Sequence, residues 1–120
     1  MDARKVRYRL EHILEAIAAI ESFVADKDFE TYQSDRILHD AVERNLERLC
    51  EAARAIPEEL KAEHPEIPWP QIIGLGNVLR HAYNAIDDQT IWDTLATGLP
   101  PLKAAVESMI RKIDGADDSD

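Results

Sequence analysis

The feature that most constrains the fold of this chain is an apolar residue at every third or fourth position in several long segments. Because an α-helix has about 3.6 residues per turn, this spacing places the apolar side chains on one face. The pattern predicts an amphipathic helix from about Ala3 to Ala25 that packs against other helices. Its apolar face comprises Val6, Leu10, Ile13, Ile17, Ile20 and Val24.

Two more long helices are expected in the middle of the chain. The second helix follows a polar connection, ADKDFETYQSD, begins near Ser34 or Asp35, and ends before Pro57. It ends there because the residue before a proline avoids the helical conformation. The segment PEELKAEHP then indicates one short helical turn. The central helix opens at Trp69, and its apolar stripe extends to Ile86.

The C-terminal third predicts one short and one long helix. The acidic pair Asp87 and Asp88 should cap a short helix, DQTIWDTLAT, which stops at Gly98. Pro100 and Pro101 should start the last helix, since proline is favoured in a first turn. We therefore predict one all-α domain over residues 1–114, an antiparallel four-helix bundle with one or two extra short helices. Residues 115–120 are expected to form a flexible acidic tail.

Composition excludes several functional classes. The net charge of −10 at pH 7 argues against a protein that coats nucleic acid by bulk charge, although it permits a local basic cleft. The single cysteine, Cys50, excludes an intramolecular disulfide and a thiolate metal cluster. His12, His39 and His64 lie in separate segments without the paired spacing of zinc sites, so no metal is expected. The N-terminus resembles no secretory leader and no run is long enough to span a membrane, which predicts a cytoplasmic protein.

The central helix carries polar groups that a plain core helix does not need. His81 is the first candidate for chemistry, because histidine is a common general acid or base in enzymes. On the residue alone, a core-edge histidine bound by a backbone carbonyl is the more common alternative. Gly74 and Gly76 each cost about 1 kcal/mol relative to alanine inside a helix. Such a cost indicates close backbone approach or a site that has lost its side chain.

The order of these residues resembles the HepT-like proteins of the HEPN superfamily, the toxin half of HepT/MntA toxin–antitoxin pairs. The resemblance covers nearly the whole chain through RLEHILEAIAAIESF, DAVERNLERLCEAA and PEIPWPQIIGLGNVLRHAY, followed by ID, IWDTL and LPPLKAAV. It implies a metal-independent endoribonuclease that acts on RNA without a cofactor. It also implies a homodimer whose cleft collects the active-site motif from both subunits.

The family signature is an Arg, four to six residues and then a His, with an Asn after the Arg and a Tyr two residues after the His. Asn77, His81 and Tyr83 match, whereas Gly76 stands where the Arg is expected and Arg80 is too close to His81. The resemblance implies proton transfer by His81 and a supporting role for Asn77. It also implies that an MntA-like nucleotidyltransferase antitoxin attaches adenylate from ATP to Tyr83.

The missing arginine makes the enzymatic activity an open question. The sequence predicts an impaired ribonuclease in which Arg80 contacts RNA phosphate, and it leaves open whether Gly76 reflects natural decay or an inactivating substitution. A change of Gly76→Arg is expected to spare the fold and restore activity, provided that this face opens to the cleft. The alternatives are a non-catalytic helical scaffold that binds a nucleotidyltransferase, and a nucleotide-binding bundle.

Overall fold

A computed structural model describes residues 2–81 and 86–118, and these residues form six helices. Four long helices make up the bundle, and two short helices lie in the connections between them. The described residues contain no strand, so the predicted all-α bundle with extra short helices is confirmed. In chain order the helices are α1 (Ala3–Val24), α2 (Phe29–Ser34), α3 (Arg36–Arg54), α4 (Glu58–Lys61), α5 (Trp69–His81) and α6 (Asp88–Asp118).

Aspartate side chains define where the first three helices begin. Asp2 accepts hydrogen bonds from two backbone amides of the first turn of α1. Asp28 accepts from the Thr31 amide at 2.9 Å, and Asp35 accepts from the Leu38 amide at 3.1 Å. Each bond satisfies an N–H group that lacks a partner within the helix, and a cap of this kind contributes about 1 kcal/mol.

The core lies between the apolar faces of the long helices. Helix α3 contacts α1, α2 and α5, while α6 contacts α1 and α2. The apolar face predicted for α1 is buried, except for the half-buried Val24 at its end. Helix α3 presents its own buried stripe to α1 and α5, which consists of Leu38, Val42, Leu46, Leu49, Cys50 and Ala53. Because α5 packs on α3, the geometry of α5 depends directly on this stripe.

The prediction of a non-helical connection before α3 is wrong in part, because this segment contains the short helix α2. The Asp28 cap starts this helix within the polar segment, and Asp35 both ends α2 and caps α3. Tyr32 on α2 is completely buried. Burial of a large aromatic ring therefore stabilises a helix that the polar sequence around it does not predict.

The predicted break at Gly98 is also wrong, because α6 continues through Gly98, Pro100 and Pro101. A proline inside a helix costs about 3 kcal/mol, since it removes one backbone hydrogen bond and crowds the preceding turn. A continuous helix, however, keeps three buried leucines on one face, and each contributes roughly 1.5–3 kcal/mol. These residues are Leu95, Leu99 and Leu102. The burial of these leucines therefore outweighs the helix-breaking tendency of the glycine and prolines.

The apolar stripe predicted for the central helix extends beyond the described part of α5. Helix α5 is described as far as His81, and the predicted stripe position Ala82 lies outside the described residues. Leu79 is buried, and Ile86, which lies just before α6, is half-buried. Helix α6 extends to Asp118, into the acidic segment assigned to the tail. None of the described helices is long and apolar enough to cross a membrane.

Candidate functional site

The start of α5 is fixed by Trp69. Its indole N–H donates to the backbone carbonyls of Lys61 and His64, both at 3.1 Å. The Trp69 side chain is buried, so these bonds form in a water-poor environment where unpaired polar groups are costly. The segment after α4 and the first turn of α5 are thereby held together. This anchor sets the position of the polar last turns of the helix.

Gly76 lies where α5 crosses closest to α3. A Cβ atom at this position would lie 2.6 Å from the Cβ atom of Cys50, closer than non-bonded carbon atoms approach. Gly74, by contrast, has open space where a Cβ would be. Close backbone approach, one of the two explanations offered for a mid-helix glycine, therefore applies to Gly76 and does not apply to Gly74.

The condition that the Gly76 face opens to a cleft is not met. Gly76 is buried, and the atom that blocks a side chain there belongs to the helix α3 framework. Such an atom cannot rotate away as the end of a long side chain can. We therefore expect Gly76→Arg to destabilise the fold instead of sparing it.

Cys50 does not provide a nucleophile. The residue is buried among apolar side chains, and this burial raises the pKa of its thiol to about 12. Because the thiolate is the reactive form of cysteine, the side chain stays inert at neutral pH. Its role at the crossing of α3 and α5 is packing.

Asn77, the residue after Gly76, is the centre of an exposed polar cluster. Its Oδ1 atom accepts hydrogen bonds from the Nη2 atoms of Arg54 at 2.5 Å and Arg80 at 2.8 Å. Arg80 also donates to Glu51 at 3.0 Å, and Arg54 lies 3.9 Å from the same carboxylate. We call these four residues the Asn77 cluster. Glu51 and Arg54 come from α3, whereas Asn77 and Arg80 come from α5. The packing of the two helices brings these pairs together.

The Asn77 cluster carries an excess of positive charge in an acidic protein. Two guanidinium groups face one carboxylate, that of Glu51, which leaves one uncompensated positive charge. Each guanidinium has five N–H donors, more than its contacts here use. Both arginine side chains are more than one third exposed. The cluster can therefore offer bidentate hydrogen bonds to a phosphate group from solution.

His81 is the last described residue of α5, directly follows Arg80 and is exposed. Its exposure argues against the alternative of a core-edge histidine bound by a backbone carbonyl. The structure thus brings Asn77, Arg80 and His81 to the same end of α5 and sends Gly76 into the helix interface. Tyr83 lies outside the described residues. Arg54 was missed from sequence because it comes from α3, and only helix packing reveals it.

A second cluster joins α3 to the start of α6. Asp87 caps α6 by accepting from the Thr90 amide at 2.8 Å, as predicted for the acidic pair. Asp88 instead turns to His39, whose Nε2 atom lies 2.8 Å from its Oδ1 atom and 2.9 Å from Oε2 of Glu43. The spacing of four between His39 and Glu43 places them on one face of α3. The spacing of His39 and Glu43 can be recognised in the sequence. The approach of Asp88 cannot, because this residue comes from a distant part of the chain.

Similarity to known proteins adds a functional context to this geometry. The sequence profile of the family described as Ribonuclease HepT-like matches residues 13–109, which is more than half of the chain. A probable ribonuclease HepT from Thermococcus cleftensis is 39% identical over 100 residues, covering 83% of this chain and 91% of the relative.

Two further relatives carry the name putative RNase. The protein from Methanocaldococcus jannaschii is 30% identical over 119 residues, covering 99% of this chain and 98% of the relative. The protein from Caldanaerobacter subterraneus is 32% identical over 103 residues, covering 86% and 92%. No solved structure gave a significant match.

Proposed function

Because the chain belongs to the HepT-like ribonuclease family, we propose that it binds RNA and is the toxin of a toxin–antitoxin pair, an endoribonuclease impaired at Gly76. The observation that carries the proposal is the Asn77 cluster beside the exposed His81. Its guanidinium groups are suited to phosphate, and the His81 imidazole is a candidate for proton transfer.

Cleavage of RNA without a metal needs three chemical contributions. A base removes the proton of the 2′-hydroxyl, this oxygen attacks the phosphorus, and an acid protonates the departing 5′ oxygen. A cation stabilises the negative charge that grows on the phosphoryl oxygens. His81 supplies proton transfer, and Asn77 holds the arginines in place. Glycine at position 76 supplies no charge, which costs several kcal/mol of transition-state stabilisation, or roughly 10²–10³-fold in rate.

The helix geometry supports a homodimer. Residues five apart on a straight helix point about 140° away from each other. Gly76 faces α3, whereas His81 is exposed, so one helix does not present both positions to a single substrate. A cleft between two subunits can collect His81 and the Asn77 cluster from both copies. Doubling of the local positive charge would attract phosphate despite the acidic surface.

RNA affinity should depend on the Asn77 cluster. We expect Arg54→Gln and Arg80→Gln each to weaken binding of single-stranded RNA at least about tenfold, since a hydrogen bond to a charged group contributes roughly 1.5–3 kcal/mol. The salt dependence of binding should also become shallower. Fluorescence anisotropy with a labelled oligoribonucleotide at several salt concentrations measures both effects.

The matched control is Arg44→Gln, which removes an exposed arginine of α3 that pairs with Glu47 outside the cluster. This change removes the same charge from the protein and should leave affinity within about twofold. Equal losses in all three variants would mean that net charge alone governs binding. Unchanged affinity in the Arg54 and Arg80 variants would contradict the proposal.

The proposed partner is an MntA-like nucleotidyltransferase that adenylates Tyr83. Support comes from the intact His81-x-Tyr83 spacing, and the added adenylate would oppose RNA binding by its charge and bulk. Incubation with the transferase and ATP should give an adduct that peptide mass spectrometry maps to Tyr83. Tyr8 is a built-in control, because its side chain is exposed on α1. Modification of Tyr8 in place of Tyr83 would contradict the proposal, as would the absence of any adduct.

A non-catalytic scaffold for the same transferase is the second candidate function. The observation that favours it is the close packing of Gly76 on Cys50, which leaves no space for the arginine that catalysis needs. Both candidates share the transferase partner. The impaired ribonuclease should cleave RNA once the arginine and the space for it are supplied. The scaffold should not.

A further inference from the structure

His39 is surrounded by carboxylates on both sides of its ring. Its Nε2 atom lies 2.9 Å from Glu43 and 2.8 Å from Asp88, and its Nδ1 atom lies 3.2 Å from Asp40. Helix α3 supplies the histidine, Glu43 and Asp40, and the first residue of α6 supplies Asp88. The three side chains around Nε2 are half-buried, between 18% and 28% exposed.

Hydrogen bonding within the cluster does not satisfy all of these groups. The Nε2 atom carries at most one hydrogen, yet two carboxylates from different helices approach it at hydrogen-bond distance. Arg36 donates to Asp40 at 3.3 Å, so the unbalanced carboxylates are Glu43 and Asp88. Around Nε2, even a doubly protonated ring contributes one positive charge against these two. A group of like charges in a half-buried position is unfavourable unless a cation balances it. The missing component is therefore positively charged.

Two distances in the cluster are close to those between neighbouring ligands of an octahedral ion. Neighbouring ligands at about 2.1 Å from such an ion are separated by about 3.0 Å, whereas tetrahedral ligands at the same distance are about 3.4 Å apart. The Nε2 atom of His39 lies 2.8 and 2.9 Å from the two carboxylate oxygens. All three ligand atoms lie within 4.8 Å of one another. One imidazole with two carboxylates suits a first-row transition ion better than Mg²⁺ or Ca²⁺, which prefer oxygen alone.

Asp40 has the position of an outer-shell partner. Metal-binding histidines commonly donate their second ring N–H to a carboxylate, which fixes the orientation of the ring and strengthens the ligand. The Nδ1 atom of His39 faces Asp40 while Nε2 faces the other two carboxylates. The imidazole is thus oriented for binding by Nε2.

Tyr32 provides an independent observation next to the cluster. Its ring stacks on His39 with centroids 5.1 Å apart, and its side chain is completely buried. Within the described part of the chain, its hydroxyl is the buried side-chain atom left without a hydrogen-bond partner. A water bound to an ion would give this hydroxyl the partner that the protein does not supply.

We propose that His39, Glu43 and Asp88 bind one divalent first-row transition ion such as Mn²⁺, with Asp40 orienting the histidine. The ion joins α3 to the start of α6 and therefore stabilises the fold. This site goes beyond the proposed ribonuclease function and requires no part in RNA cleavage. Water molecules would complete its coordination.

Titration with Mn²⁺ alone tests the proposal. The untagged full chain, stripped with chelator and then dialysed, should bind one Mn²⁺ per chain by isothermal titration calorimetry. Bound Mn²⁺ should raise the melting temperature, because the ion binds the folded state. Mg²⁺ at the same concentration should give a smaller increase. Paramagnetic broadening should reach the Tyr32 and His39 resonances of the unaltered protein first, which tests the location without any substitution.

Substitutions define the ligands. We expect His39→Gln, Glu43→Gln and Asp88→Asn each to weaken Mn²⁺ binding by at least about 100-fold, and Asp40→Asn by roughly 10–100-fold. The matched control is Glu47→Gln, which removes a carboxylate one helical turn from Glu43 in the same groove. It should change affinity less than about twofold.

Any of three results would contradict the proposed metal site. Absence of Mn²⁺ binding at millimolar concentration would show a hydrogen-bonded cluster only. Equal losses in the Glu47 control and the ligand variants would show diffuse attraction to acidic groups. Binding with broadening confined to other residues would place the ion elsewhere. Circular dichroism of each metal-free variant checks that the fold is retained, and the broadening experiment decides the question if a variant does not fold.

Discussion

Gly76→Arg in the otherwise unaltered chain is expected to lower the free energy of unfolding by at least about 3 kcal/mol. The added Cβ atom would collide with Cys50 at 2.6 Å, and the side chain would begin inside the buried crossing of α3 and α5. Overpacking alone costs about 1–3 kcal/mol, and placing a guanidinium in an apolar interface adds to this. Urea denaturation followed by circular dichroism measures the loss. A variant as stable as the parent would contradict this packing.

A pair of changes at Cys50 tests the cause. Cys50→Gly removes the colliding Cβ atom, whereas Cys50→Ala removes only the sulfur and keeps that atom. Gly76→Arg should therefore cost much less in the Cys50→Gly background than in the Cys50→Ala background. Each double variant is compared with its own single variant, since a new glycine in α3 itself costs about 1 kcal/mol. Equal costs in both backgrounds would rule out the Cβ contact as the cause.

Ribonuclease activity is expected in the double variant Cys50→Gly/Gly76→Arg. Adding the cation to a site that already has Asn77 and His81 should raise the rate of RNA cleavage about 10²–10³-fold over the parent chain. Cleavage of a fluorogenic oligoribonucleotide in buffer with chelator measures the gain and excludes a contribution from metal. His81→Ala in the same background should abolish it, because the proton-transfer group is lost.

The same experiment separates the two candidate functions. A double variant that is folded and dimeric yet cleaves no RNA would show that the missing cation does not explain the impairment. The scaffold function would then be favoured. Cleavage that persists after His81→Ala would place the catalytic group elsewhere. Neither result affects the proposed metal site, which is tested by binding and stability.

Local signals predicted those parts of the fold that depend on neighbouring residues. The apolar stripe of α1 and the start of α3 near Asp35 could be recognised because these signals act within a few residues. The continuous helix α6 could not, since the signal at Gly98 and Pro100 is local whereas the burial that overrides it comes from packing. Helix α2 was missed for the same reason, because its stability depends on the buried Tyr32.

In the candidate site, too, features within one helix could be predicted, whereas contacts between helices could not. Spacing placed Asn77, Arg80 and His81 near one another because they share the end of one helix. The contribution of Arg54 and the obstruction of Gly76 by Cys50 arise between helices, and a single sequence does not encode which residues will face each other there. The roles assigned to Tyr83 and to the transferase remain predictions.

The continuity of α6 determines how the bundle opens. Two helices joined by a glycine–proline hinge could unfold one at a time, so the segment that carries Asp88 would exchange its amide hydrogens independently of the rest. A single helix from Asp88 to Asp118, packed on α1, makes that segment part of the same cooperative unit as the core. Any interaction that stabilises the N-terminal end of α6 should therefore also slow amide exchange in the core.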